Sequence, residues 1–401
     1  MTRQSASAPT VVRNGVTTVS NEDLERRWRV LREEMERQGI DVLLAQGNND
    51  FVGGYVRYLS DYQPWGGFTT TVVFTRDAGT ALVTTGNPAD MDTFDDGTWR
   101  GVDRVLTAPS FSTINYSVAH DEANVVEALK GFDRATVGVV GSHLISAATL
   151  GAIRRAYPRI RIVDASDHVD RIKAIKSSEE QALLRQTART QDDAMLQVID
   201  QIRPGMLERE VAIIAQQIVT SLGSSQGLFV AASGNSETPA TGKQLSAQNR
   251  VIGEGDMVHI LIESNGPSGL YTHMTRTVVL GTVPDELSEE LEFALKAQAY
   301  TLDRLRPGAA PAEIWEDFNA FMRDNGRPEE RRLYSHGQGF DIVERPLIRP
   351  EETLTIEAGM NIAVHPLYLY RGYVHWVCSN FLITADGVEQ LNQLPTAIYE
   401  R

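Results

Sequence analysis

Hydrophobic positions early in the chain follow two rhythms. Leu24, Trp28, Leu31 and Met35 recur at helical spacing behind Asn21, a residue suited to capping. The first turn carries Glu22 and Asp23, and Gly39 closes the pattern, so a helix is predicted between them. Apolar runs at Ile40 to Ala45, Phe68 to Phe74, Thr80 to Thr84 and Ala135 to Val140 read as buried strands. Their alternation with helical patterns predicts a small α/β domain over residues 21–170. The polar stretch 1–20 ahead of it reads as a mobile N-terminal arm.

A second domain, 171–401, opens at a charged joint, Arg171 to Glu180, in which Ser177 is placed to cap a helix. It contains an internal repeat. Asp200-Gln201-Ile202-Arg203-Pro204-Gly205 returns as Asp303-Arg304-Leu305-Arg306-Pro307-Gly308, Glu210-Val211 as Glu313-Ile314, and Gly223 as Gly326. Each copy reads as a helix stopped by Pro-Gly, then an amphipathic helix stopped by Gly, then strand-rich sequence. Two such halves predict a pseudo-twofold domain with a shared central site. In the first half a strand through Asp256 to Ile262, a turn at Gly266 to Gly269 and a return through Leu270 to Leu280 make a hairpin. In the second, strands are predicted at Asn361 to Val364 and, as the last one, Val377 to Thr384.

Composition narrows the class. The 401 residues are 42% hydrophobic and 23% charged, as in ordinary globular proteins. A net charge of −15 argues against a nucleic-acid partner, whose phosphates it would repel. No run of eighteen apolar residues exists, so no membrane span is expected. Cys378 is the only cysteine, which excludes intrachain disulfides and fits a reducing cytoplasm.

The chemistry-bearing motifs lie on the strands after each half. They are Tyr271-Thr272-His273-Met274-Thr275-Arg276-Thr277, Ser335-His336-Gly337-Gln338-Gly339, Gly359-Met360 with His365-Pro366, and Asp386-Gly387. Their order resembles the catalytic domain of the creatinase, prolidase and methionine aminopeptidase superfamily, the pita-bread fold, and Arg57-Tyr58-Leu59-Ser60 extends the resemblance into the first domain. The resemblance implies an α/β (α+β) protein with a smaller N-terminal creatinase-like domain and a C-terminal pita-bread domain. In the peptidases of the superfamily, two Asp, one His and two Glu hold two divalent metals. Here the positions matching those ligands are Ile262 (with Glu263 beside it), His273, His336, His365 and Cys378, the last with Ser379 and Asn380 as alternatives. Ala240 and Val343 stand near the places of substrate-side histidines. Bridging carboxylates are needed to neutralise two close dications, so a dinuclear peptidase is not expected.

Three readings stand. In the first, a metal-free creatinase-like hydrolase, His273, His336 and His365 act as acid and base, with Glu263 as a further base if it points inward. It would cut a non-peptide C–N bond of a small carboxylated metabolite, as creatinase and ectoine hydrolase do. In the second, the three histidines hold one metal, zinc, iron, manganese or copper, with Cys378 as a weak fourth ligand, which could activate water for the same hydrolysis or serve lyase or oxygen chemistry. The third is a non-catalytic binding protein on the same fold. Thr275 stands where creatinases resemble one another in carrying Glu, which argues against creatine as the substrate. Substrate contacts are expected from Arg349 and Glu344, and from Arg57, Tyr55 and Trp65 in a turn-rich lid. The resemblance implies a homodimer in which that lid lies near the partner's active site. His120, His143, His168 and His259 read as core histidines, and His375 as an edge-strand residue facing away from Cys378.

Overall fold

The computed structural model describes residues 11–13, 16–49, 51, 54–64, 66–86 and 100–401. The chain divides into two compact units, one spanning Val19–Lys173 and the other containing Ala174–Arg401. Ahead of the first, β1 (Val11–Arg13) and β2 (Val16–Thr18) pair antiparallel. The other positions of the expected arm, 1–10 and 14–15, fall outside the described residues.

The first unit is a mixed sheet with helices. Helix α1 (Asn21–Gln38) is capped by Ser20, whose Oγ accepts from the Asp23 amide at 3.1 Å, so the cap sits one residue earlier than predicted. Gly39 ends the helix with φ 63°. Its buried stripe is Leu24, Leu31 and Met35. There follow β3 (Val42–Gly47), α2 (Gly54–Ser60), β4 (Thr70–Thr75), β5 (Thr80–Thr85), β6 (Arg104–Ala108), α3 (Asn115–Ala128), β7 (Thr136–Val140), α4 (Ala147–Ala156), β8 (Arg161–Asp164) and α5 (Ser166–Ala174). The six strands order β6-β5-β4-β3-β7-β8. Val42, Leu44, Val73, Val137 and Val139 pack under Val125 and Ile153 of the helices.

The second unit is built twice. In the first copy α6 (Ser178–Gln201) starts with a capping box of Ser177 and Glu180 and is followed by α7 (Glu208–Ser221), β9 (Gly227–Gly234), β10 (Met257–Asn265) and β11 (Tyr271–Val279). In the second copy come α8 (Asp285–Leu302), α9 (Pro311–Asp324), β12 (Ser335–Gly337), β13 (Glu344–Leu347) and β14 (Asn361–Val364). A hairpin of β15 (Leu367–Tyr370) and β16 (Tyr373–Trp376) precedes β17 (Ser379–Ile383), β18 (Val388–Gln390) and β19 (Ile398–Glu400), so two strands follow the one predicted to be last. The repeat extends to single hydrogen bonds. Gly205 donates to the Ile252 carbonyl at 2.8 Å, and Gly308 donates to the Ile356 carbonyl at 2.8 Å. The return bonds are Ile252 to Met206 and Ile356 to Ala309, at 2.8 and 2.9 Å. Both glycines turn with positive φ, 90° and 89°, a conformation side chains oppose.

Strand order is β19-β11-β10-β9 in one half-sheet and β13-β12-β14-β17-β18 in the other. Each half-sheet buries one face under its own helices. Val258, Ile260, Ile262, Met274 and Val278 pack on α6 and α7. Ile362, Val364, Phe381 and Ile383 pack with Ala297, Ile314, Phe318 and Met322 of α8 and α9. Because side chains alternate along a strand, the residues between these point the other way. The halves meet at a bridge between Thr275 and Cys378, held by Arg276, whose Nη1 donates to the Cys378 carbonyl at 2.9 Å.

Candidate functional site

Alternation decides what the inner face carries. Opposite residues of an antiparallel pair share a face, and Glu263 stands opposite His273 while Ile262 stands opposite Met274. Ile262 therefore lies in the helix-facing core, and it is Glu263 that occupies the inner position on β10. This corrects the placement obtained by counting back from Gly269. The hairpin register fixes faces, and a one-residue difference in the turn reverses them.

From the second half, His336 pairs with Ala363 on β14, and His365 follows β14 with the parity of Ala363. The three rings meet. Their centroids lie 6.2 Å (His273–His336), 5.0 Å (His273–His365) and 5.1 Å (His336–His365) apart. One ring nitrogen from each lies within 4.8 Å of the others, the only such group of His, Cys, Asp or Glu among the described residues. All three are buried, and burial lowers their affinity for a proton: His336 to about 4, His273 and His365 well below the ordinary imidazole range. The neighbouring rings and the charge of Arg332 act in the same sense on His365.

Their hydrogen bonding is unusual for buried imidazole. His336 Nδ1 lies 2.8 Å from the Gly337 carbonyl, so this nitrogen bears the proton and Nε2 is left with its lone pair. Among the described residues, neither ring nitrogen of His273 or of His365 has a hydrogen-bond partner. Main-chain bonds hold these residues instead: His273 N donates to Asn380 Oδ1 at 2.5 Å, and His365 N to the Tyr334 carbonyl at 2.8 Å. Glu263 Oε1 lies 3.4 Å from His273 Nδ1 without forming a hydrogen bond, and accepts one from Gln338 Nε2 at 2.8 Å. Burial pushes the Glu263 carboxyl up to about 8, against the pull of Gln338.

Of the three candidates for the last ligand position, Asn380 is the one on the face of His336, since both pair with Ala363. It shares the inner face, donating through Nδ2 to Gln338 Oε1 and Asn361 Oδ1, each at 3.0 Å. Cys378 is not the fourth member of the cluster. Its Sγ lies 3.5 Å from the His273 carbonyl, and burial raises its thiol well above the usual range.

The residues expected to contact substrate make the following contacts within the chain. Glu344 forms a buried ion pair with Lys176 at 2.8 Å, and its Oε1 accepts from the Phe340 and Asp341 amides. It anchors the turn that carries Gln338. Gly339 has to be glycine beside that pair, since a Cβ would sit 2.7 Å from Lys176 Cε and 2.8 Å from Glu344 Oε2. Arg349 stacks on Trp315 at 4.5 Å and pairs with Glu351 at 3.4 Å, contacts that involve none of the three histidines. In the first unit Tyr55 donates to Asp170 at 2.6 Å under Lys173, and Arg57 is buried in α2. Trp65 lies outside the described residues. Arg332 was missed by the motifs. Its charge reaches His273 and His365, and it pairs with Glu330 at 2.7 Å.

Of the remaining histidines, His259 is a satisfied core residue, bonded to Thr277 Oγ1 at 3.0 Å and the Val374 carbonyl at 2.8 Å. His120 and His143 are exposed, not core, and His168 pairs with Glu34. His375 is buried beside Tyr368.

Two family models match the sequence: metallopeptidase family M24 over residues 182–385, and the creatinase/prolidase N-terminal domain over residues 27–175. A Xaa-Pro dipeptidase of Pyrococcus horikoshii is 25% identical over 70% of this chain and 82% of its own length. A creatinase of Bacillus sp. is 24% identical over 94% of this chain and 92% of its own. The X-Pro aminopeptidase of Thermotoga maritima shares the fold, with TM-score 0.77 at 19% identity over 93% of this chain and 99% of that one. No helix among the described residues is long and apolar enough to cross a membrane.

Proposed function

The chain belongs to metallopeptidase family M24, a family of hydrolases, and we propose that it hydrolyses a non-peptide C–N bond in a small anionic molecule at a centre built for one transition metal ion. The observation that supports this most is the meeting of three buried imidazoles, two of them with every ring nitrogen unpartnered. Such nitrogens are costly to bury unless something binds them. A catalytic imidazole working without metal is normally oriented through its second nitrogen, and His273 and His365 have no such partner.

The residues fit one ion and not two. His273, His336 and His365 would hold it as neutral imidazoles, a donor set accepted by zinc, iron, manganese and copper. When bound, a dication there supplies Lewis-acid polarisation and makes water more acidic. A second ion would need bridging carboxylates, and the metal-ligating cluster contains none. The Gly337 carbonyl fixes the tautomer of His336, and burial excludes bulk water from the three rings. Glu263, on the same face, is placed to exchange a proton with water or with the departing nitrogen as the C–N bond breaks. Arg332, whose charge reaches His273 and His365, is the candidate within this unit to anchor a negative group. That a creatinase is similar over nearly the whole chain supports a non-peptide substrate. A homodimer is part of this reading, checked by light scattering.

Metal analysis after chelator-free purification tests the centre, with about one equivalent expected per chain. A panel of small anionic amides, ureas and guanidino compounds tests the reaction, read by amine release. Two equivalents of metal, cleavage of Xaa-Pro dipeptides, or oxygen uptake in place of amine release would each overturn the reading.

A further inference from the structure

Beside the three rings lies a chain of side-chain amides whose direction is fixed by the backbone. Asn380 cannot be turned over, because its Oδ1 takes the His273 amide proton at 2.5 Å. Its Nδ2 therefore points at Gln338 Oε1 and Asn361 Oδ1. Asn361 is fixed likewise, with Nδ2 donating to the Gln338 carbonyl at 3.0 Å. Gln338 in turn has to aim Nε2 at the Ile342 carbonyl, 2.9 Å away, and the same nitrogen reaches Glu263 Oε1 at 2.8 Å. Every donor and acceptor in the chain is assigned without choice. The chain ends on one oxygen of one carboxyl, and Glu263 Oε2 makes no hydrogen bond among the described residues.

Resting on the one-metal hydrolase reading, we infer that Gln338, itself set by Asn380, is a positioning residue that holds Glu263 through Oε1 and so fixes the orientation of that carboxyl beside the three-histidine centre. Gln338 is fully buried, and its side chain reaches the centre directly through Glu263, by its Nε2 bond to Oε1. The arrangement also explains why a carboxyl is kept on this face without joining the ligand cluster: its near oxygen is already engaged by an amide. Asn380 links both parts, since it holds the main chain of His273 and the amide that holds Glu263.

The test uses full-length protein loaded with zinc and acetohydroxamic acid as the probe, a chelator whose N–H and O–H groups can also hydrogen-bond to a carboxyl beside the ion. Its dissociation constant is measured by calorimetry for the unsubstituted protein, Glu263→Gln, Gln338→Met and the double variant. Gln338→Met is expected to keep its zinc and to weaken the probe about tenfold, the scale of one charge-assisted hydrogen bond. The double variant is expected to bind no more weakly than Glu263→Gln alone, because both changes act through one group. Should Gln338→Met fail to fold, Gln338→Asn, which keeps an amide in the pocket but shortens its reach, gives the same comparison. Zinc uptake with probe binding unchanged in these variants, or with additive losses in the double variant, would overturn this inference alone. No uptake of zinc, iron, manganese or copper by the unsubstituted protein would overturn the functional reading with it.

Discussion

His259 and His273 sit on neighbouring strands of one half-sheet, on the same face, and both are buried. Burial holds both below the ordinary imidazole range. What separates them is partnership. His259 has a hydroxyl on one nitrogen and a carbonyl on the other, whereas among the described residues neither nitrogen of His273 forms a hydrogen bond. Desolvation alone thus does not mark a functional histidine. The mark is a buried polar atom that the fold leaves unpaired in company with others like it.

The largest expected effect tests that distinction directly. His273→Ala, His336→Ala or His365→Ala should each abolish metal retention and lower turnover by about 10³-fold or more, read by metal analysis and amine release. His259→Ala should keep its metal and lose only about 1–3 kcal/mol of stability in denaturant melts. Equal loss of metal from both classes would break the comparison.

The two faces of β10 give the next effect. Ile262→Asp puts a carboxylate into the apolar core of the first copy and should destabilise by about 4 kcal/mol or more. Were the inner face wrongly assigned, this variant would remain stable and recruit additional metal. Denaturation with and without added zinc reads both outcomes.

A smaller effect is expected from pH. His259 protonates near 4 in the folded chain against 6.5 for a free imidazole, so the unfolded chain takes up the extra proton between those values. Its contribution to stability is complete above 6.5 and disappears as pH falls toward 4, at about 1.4 kcal/mol per pH unit. Replacing it by Phe should flatten the stability profile over that window. Last, Arg349→Ala should cost no more than about 1 kcal/mol, chiefly its stack on Trp315 since its ion pair with Glu351 is at the surface, and should leave metal content intact.

Much of this architecture was readable in the residues. The Pro-Gly repeat foretold matched helical pairs, and the two copies agree down to the Gly205 and Gly308 amide bonds. Ser177 caps its helix as the sequence proposed. The three histidines, drawn from stretches far apart in the chain, do share a centre. What counting could not supply was register. Whether Ile262 or Glu263 faces inward depends on the length of the turn at Gly266 to Gly269, and that is settled by pairing. Contacts across long separations were equally opaque. Lys176 and Glu344 are 168 residues apart, and Gln338 meets Asn380 across 42, with no local pattern to announce either pair.

The three histidines are also unequally shared: His273 comes from the first copy of the repeat, His336 and His365 from the second. Neither copy by itself could assemble the trio. An ion held there would rivet one half to the other, and a chain nicked in the Gly281–Pro284 turn would load only after its fragments had reassociated. Occupancy would then serve as a gauge of correct assembly.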